Sequence, residues 1–240
     1  MKGLRASNFK RIHLGLLLDL LLMFLVPAVM AALLALIARE VAAVGMDEAT
    51  VETLLRSPTL AIRALYSLLA LQYCLSALCA LLVVSGIGET GYRKLRRAKR
   101  DYMALTIMEA LAMLAHITDV LLPGDGFRLV SIAFVAAILL VLILRWAGLR
   151  SLLLGFCEVL RSIGSQERSA RALARHLTAA FALILGFLLA VVVSAVLGER
   201  GARMLLLGGF IVALVYYAVV YILTAHCARK TADVIAAISE

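Results

Sequence analysis

The chain has 240 residues, 64% of them hydrophobic and 16% charged, and a mean hydropathy of +1.04. Soluble domains average about 45–50% apolar and about 25% charged residues, so these values exclude an ordinary water-soluble domain and point to an integral membrane protein. The net charge of +9 is not a nucleic-acid signature in this setting, because Lys and Arg set the topology of a membrane protein.

A helix needs about 20 mostly apolar residues to cross roughly 30 Å of hydrocarbon. Six stretches qualify: 14–38, 64–87, 102–122, 128–147, 177–198 and 204–226. The fold class expected is an all-α, polytopic bundle of six transmembrane helices, forming a single domain over 1–240. The first stretch has the charged opening of a secretory leader, but its apolar run is longer than the 7–15 residues of an h-region. It reads as a retained first span, with Asp19 as its one charged residue.

After span one comes AREVAAVGMDEATVETLLRSP, the longest external link. Asp47 can cap a helix there, Glu48 and Glu52 suit its positive end, and Pro58 stops it. A short external helix over 47–56 follows. Span two carries no charge. Behind it, GYRKLRRAKRD at 91–101 reads as the cytoplasmic loop to span three, with one aromatic, Tyr92, and no nucleic-acid motif.

Span three is the polar one, with Glu109, His116 and Asp119. Span four holds charges only near its ends, at Arg128 and Arg145. In the segment 149–163, Leu149, Leu152, Leu153, Phe156, Val159, Leu160 and Ile163 form one apolar stripe. This amphipathic helix either lies along the cytoplasmic interface or prolongs span four, and Gly164-Ser165 ends it. In span five, Thr178, Ala182, Gly186, Ala190, Ser194 and Gly198 recur every four residues. Such a stripe permits close approach of a neighbouring helix and predicts packing there. Span six has a shorter version at Gly209 and Ala213.

Orientation follows from Lys and Arg. The N-terminus has four, 91–101 six, 145–175 six and the tail two, against six on the other side: Arg39, Arg56, Arg63, Arg128, Arg200 and Arg203. Both termini are therefore expected in the cytoplasm, in a bacterial inner membrane. Basic segments FKRIH, KLRRAKRDY and RSARALARH open three hairpins at similar spacing. Three repeated hairpins and two inverted three-span halves both remain open on this pattern.

Ionisable residues inside a membrane are costly and default to a functional role. Asp19 and Glu109 lie at matching depth from the cytoplasmic side, so the two carboxylates can share one polar pocket. Arg145 and His176 are the cationic candidates at the cytoplasmic ends. Glu109 and His116 are seven apart, nearly on one helical face, and Asp119 lies beyond them toward the outside. With Thr106 and Met113 they mark a stripe that suits a proton or cation path. The competing explanation is that each carboxylate pairs with an arginine to fix helix register.

Enzyme signatures are lacking: the chain has no HExxH, no CxxC among its four cysteines and no GxSxG. No cofactor and no metal site are expected, His13, His176 and His226 being placed as interfacial histidines. At FKRIHLGLLLD, Phe9, Arg11, Gly15 and Asp19 have the spacing that opens the first span of RDD-family membrane proteins, which this stretch resembles. Gly88-Glu89-Thr90 resembles that family's glycine-rich cytoplasmic loop. The resemblance implies a transport-related membrane protein with Arg11 and Asp19 as signature residues.

The expected function is a small transporter or channel-like protein for a small solute or ion, with a cytoplasm-facing polar pocket. The alternatives are a non-catalytic membrane subunit of a larger complex, such as an ABC-type permease or vitamin-importer subunit, and a lipid-modifying enzyme. Expected partners are membrane lipids and a protein partner or a second copy, and not nucleic acid.

Overall fold

The computed structural model describes residues 5–44, 60–121, 127–165, 168–196 and 200–239. The expected external helix over 47–56 lies outside the described residues. Six helices follow in chain order: α1 (Ala6–Val44), α2 (Leu60–Ile87), α3 (Arg93–Leu121), α4 (Phe127–Ser162), α5 (Arg168–Val196) and α6 (Arg200–Ser239). Five of them, all but α3, contain a described stretch long and apolar enough to cross a membrane. Leu21, Leu111, Leu189 and Val212 point outward and are exposed, as lipid-facing side chains should be. The chain is an integral membrane protein of all-helical fold.

Each helix packs on its neighbours in the chain, and α1 also packs on α6. The result is a closed ring in chain order. Small residues bring the first two helices together: a Cβ on Gly15 would stand 2.9 Å from the Cys79 carbonyl oxygen, and one on Gly86 2.6 Å from that of Asn8. The ring closes where His13 Nδ1 donates to the Ala225 carbonyl over 2.7 Å. Pro27 sits inside α1, which a membrane helix tolerates better than a soluble one.

At 1.5 Å per residue, α6 with its 40 residues is roughly 60 Å long, about twice the hydrocarbon thickness. The surplus lies at the basic end, where the core is also densest. Phe9, Leu95, Leu149, Leu152, Leu153, Phe156 and Val159 are fully buried there, together with Ala228 and Ala232. Phe9 and Phe156 pack with ring centroids 5.7 Å apart. The segment 149–163 therefore prolongs α4 as far as Ser162 and serves as core, not as an interfacial helix. Gly164 stops it at a φ of 70°, while the Ser165 amide donates back to the Leu160 carbonyl over 2.9 Å, a glycine-terminated helix end.

The basic segment 91–101 differs from expectation. It is a loop only to Tyr92; from Arg93 on it is the first two turns of α3. Leu95 and Ala98 are fully buried, so the arginines and lysines line the outside of a packed helix. Its start is capped from another helix, since the Lys94 amide donates to a Glu158 carboxylate oxygen over 3.0 Å. Tyr92 and Ser162 hydroxyls meet at 2.7 Å beside it.

The small-residue stripe of span five is also used differently. Ala182 and Gly186 are exposed, and nothing lies within 4 Å of where a Cβ on Gly186 would stand. Thr178 and Ala190 are half-buried, Ser194 is buried, and Gly198 lies outside the described residues. Within the chain α5 instead buries Ala174, Leu177, Ala180, Phe181 and Ile184. The reason is size complementarity on the facing helix: the Phe187 ring fills the space that a Cβ on Gly209 would need, and Ala213 is buried nearby. The hole is on α6 and the knob is on α5.

Candidate functional site

Five of the six helices send one polar side chain to a common point: Asp19 from α1, Ser76 from α2, Glu109 from α3, Arg145 from α4 and Tyr221 from α6. All five are buried. Arg145 Nη2 lies 2.5 Å from Glu109 Oε1 and 3.2 Å from Asp19 Oδ1. The same nitrogen donates to Ser76 Oγ over 2.6 Å. Tyr221 donates its hydroxyl proton to Asp19 Oδ2 over 2.5 Å. Charge-assisted contacts of this kind are the short, strong ones.

Donors and acceptors are mismatched in this cluster. Ser76 Oγ lies 2.9 Å from Asp19 Oδ1 and 2.8 Å from Glu109 Oε1, yet a hydroxyl has one proton to donate. It can satisfy one carboxylate at a time. Arg145 Nη2 carries two hydrogens and faces three oxygens. Glu109 Oε2 is buried without a hydrogen-bond partner among the described residues, as are Arg145 Nε and the Tyr102 hydroxyl. Two carboxylates against one guanidinium leave a formal charge of −1 when both are ionised. An unpaired charge in a dry interior is costly, so the geometry suits one more positive charge, a proton or a small cation.

The chain matches no family model, no curated protein and no solved structure.

Against the sequence-derived site, Asp19, Glu109 and Arg145 are brought together as one unit. His116, two turns further along α3, is buried and stacks on Tyr73 with ring centroids 5.5 Å apart, extending the polar side of α3 beyond the cluster. Asp119 lies on α3 as expected, but its side chain is outside the described residues. His176 is not at the site: its Nδ1 lies 2.7 Å from the Tyr216 hydroxyl in an exposed position. As a residue of α5, the helix that adds no side chain to the cluster, it faces outward.

Sequence alone marks neither Ser76 nor Tyr221 as a carboxylate partner. A serine costs little in a membrane helix and leaves no mark on hydropathy, so Ser76 gave no signal. Tyr221 had a faint one, as a tyrosine inside a charge-free apolar run. Neither the groove between α4 and α5 nor the one beside Cys227 and Thr231 reaches the cluster, whose side chains are buried. No group of three or more His, Cys, Asp or Glu side chains is arranged to hold a metal ion among the described residues.

Proposed function

We propose that this chain is a small transporter or channel-like protein that moves protons or a small cation, with Asp19, Glu109 and Arg145 as its ion-handling centre. The observation that carries the reading is the charge imbalance: two buried carboxylates share one buried guanidinium, and Glu109 Oε2 has no hydrogen-bond partner among the described residues. A structural ion pair would need one carboxylate for one arginine. The second carboxylate adds a desolvation cost of at least ~2.5 kcal/mol on insertion scales. A site that takes up and gives back a positive charge accounts for it. Ser76, within reach of both carboxylates, supplies a hydroxyl through which a proton can change sides.

In this proposal α3 is the sixth span. It packs between α2 and α4, and Glu109, which lowers its hydropathy, is matched inside the ring. Both termini face the cytoplasm of a bacterial-type inner membrane, in line with the 18-to-six distribution of Lys and Arg. The resemblance of Phe9–Asp19 to RDD-family proteins runs the same way: Phe9 and Asp19 are buried, and Gly15 holds the approach of α1 to α2.

The enclosure of the cluster favours a second reading, a membrane subunit of a larger complex in which the cluster only locks helix register. One experiment separates the two. The purified chain is sealed into vesicles with a pH-sensitive dye inside, and a potassium diffusion potential is imposed. Wild type is expected to acidify the lumen faster than empty vesicles, and Glu109→Gln to abolish the difference while helix content and elution volume stay unchanged. No acidification by wild type, with no sodium uptake in parallel vesicles holding a sodium-sensitive dye, would overturn the transport reading, and undiminished flux in Glu109→Gln would overturn the assignment of its centre.

A further inference from the structure

At the basic end, an open groove of about 480 Å³ lies between α4 and α5. Its rim is cationic: Arg150 comes from α4, while Arg171 and Arg175 come from successive turns of α5. Leu154 of α4 lies one turn nearer the basic end than Arg150, while Thr178 and Ala182 of α5 lead down toward the apolar part of the bundle. Among the described residues, none that line it is acidic. We propose that this groove binds one anionic phospholipid, its phosphate among the three arginines and the start of an acyl chain along Thr178 and Ala182.

Arg150 is held in place by an aromatic stack. Arg150 Cζ sits 5.9 Å from the Trp146 ring centroid, and Trp146 in turn stacks on Phe181 of α5 with centroids 5.0 Å apart and an interplanar angle of 10°. That stack bridges the two helices and fixes Arg150 at their seam by a cation–π contact. Arg171 and Arg175 are four apart, hence on one face, and Thr178 and Ala182 continue that face inward. Guanidinium groups recognise phosphate oxygens through paired N–H donors. Basic pockets between membrane helices are where anionic headgroups settle.

Charge complementarity and position select the occupant. A free phosphate would meet the arginines but leave the apolar floor uncovered. A second copy docked symmetrically would set arginine against arginine, since a twofold contact pairs the same patch with itself. Below the rim, Ala179, Ala182, Leu183, Gly186, Leu189 and Val193 of α5 are exposed, a surface for lipid chains. Ala182, turned outward as Phe187 seats against Gly209, keeps this floor shallow enough for an acyl chain.

The test uses the full chain in nanodiscs of phosphatidylcholine containing a minor share of phosphatidylglycerol, with retained lipid counted by native mass spectrometry. Wild type is expected to keep one phosphatidylglycerol in preference to phosphatidylcholine. Arg171→Gln/Arg175→Gln should weaken that retention about 30-fold, taking ~1 kcal/mol for each basic residue near a membrane surface. Arg96→Gln/Arg97→Gln removes the same charge from the exposed face of α3 and should leave retention unchanged. All four arginines are exposed, and helix content checks that both variants fold. Equal loss in both variants would reduce the effect to general surface charge and overturn the proposal. So would equal retention of the two lipids by wild type, displacement of the lipid by millimolar inorganic phosphate, or a lipid-free dimer.

Discussion

Replacing Arg145 by methionine removes the one positive charge at the point where α1, α2, α3 and α4 meet. Arg145 Nη2 touches Glu109 Oε1, Asp19 Oδ1 and Ser76 Oγ, all within 3.2 Å, and the side chains of Asp19 and Glu109 are 8% and 1% exposed. Deleting one partner of a buried ion pair costs about 3–5 kcal/mol, chiefly because the remaining charge is left uncompensated. For a chain of this length 1 kcal/mol shifts the melting temperature by about 2–4 °C, so Arg145→Met should melt about 6–20 °C lower. The companion variant Asp19→Asn/Glu109→Gln/Arg145→Met removes all three charges and keeps amide groups within reach of Ser76 and Tyr221. It should recover at least half of the loss, since a neutral replacement of a buried ionic group is often neutral or stabilising. Thermal unfolding in a mild detergent, followed by circular dichroism, reads both. The reasoning fails if Arg145→Met melts within about 2 °C of wild type, or if the triple variant is no more stable than the single one.

Close helix approach predicts opposite outcomes at glycines that sequence alone cannot tell apart. Gly86→Leu would drive a side chain into the Asn8 carbonyl of α1 and should destabilise by at least the 1–3 kcal/mol typical of overpacking, whereas Gly186→Leu meets nothing within 4 Å and should leave the melting curve in place. Glu158→Ala removes the carboxylate that receives the Lys94 amide; by analogy with helix capping it should cost about 0.5–2 kcal/mol and speed hydrogen exchange at the start of α3. In a cysteine-free background, a cysteine at position 57 should react with an impermeant maleimide added to intact cells, and one at position 165 should not. The reverse pattern would invert the proposed orientation.

Membrane class and helix positions were legible in the sequence because they are local sums: twenty apolar residues in a row meet the hydrocarbon thickness whatever the rest of the chain does. The shared depth of Asp19 and Glu109, and Arg145 as their partner, were legible for a related reason, since a buried charge demands a counter-charge at its own level. The helix over 93–101 was legible in principle too. Leu95, Ala98, Tyr102 and Leu105 follow helical spacing through the basic run, and all four are buried, but the charge density masks the periodicity.

Other features exist only between helices, and there tertiary structure alone decided. Small residues permit close approach without requiring it, so the stripe on α5 gave no sign that Phe187 would seat at Gly209 and turn Ala182 and Gly186 outward. Ser76 and Tyr221 are cheap to bury and become partners of Asp19 only once α2 and α6 flank α1. The three-arginine groove joins Arg150 to Arg171 and Arg175 across two helices that the sequence merely places next to each other. A charge in hydrocarbon announces its need one residue at a time; who meets that need is settled by the faces the helices turn to one another.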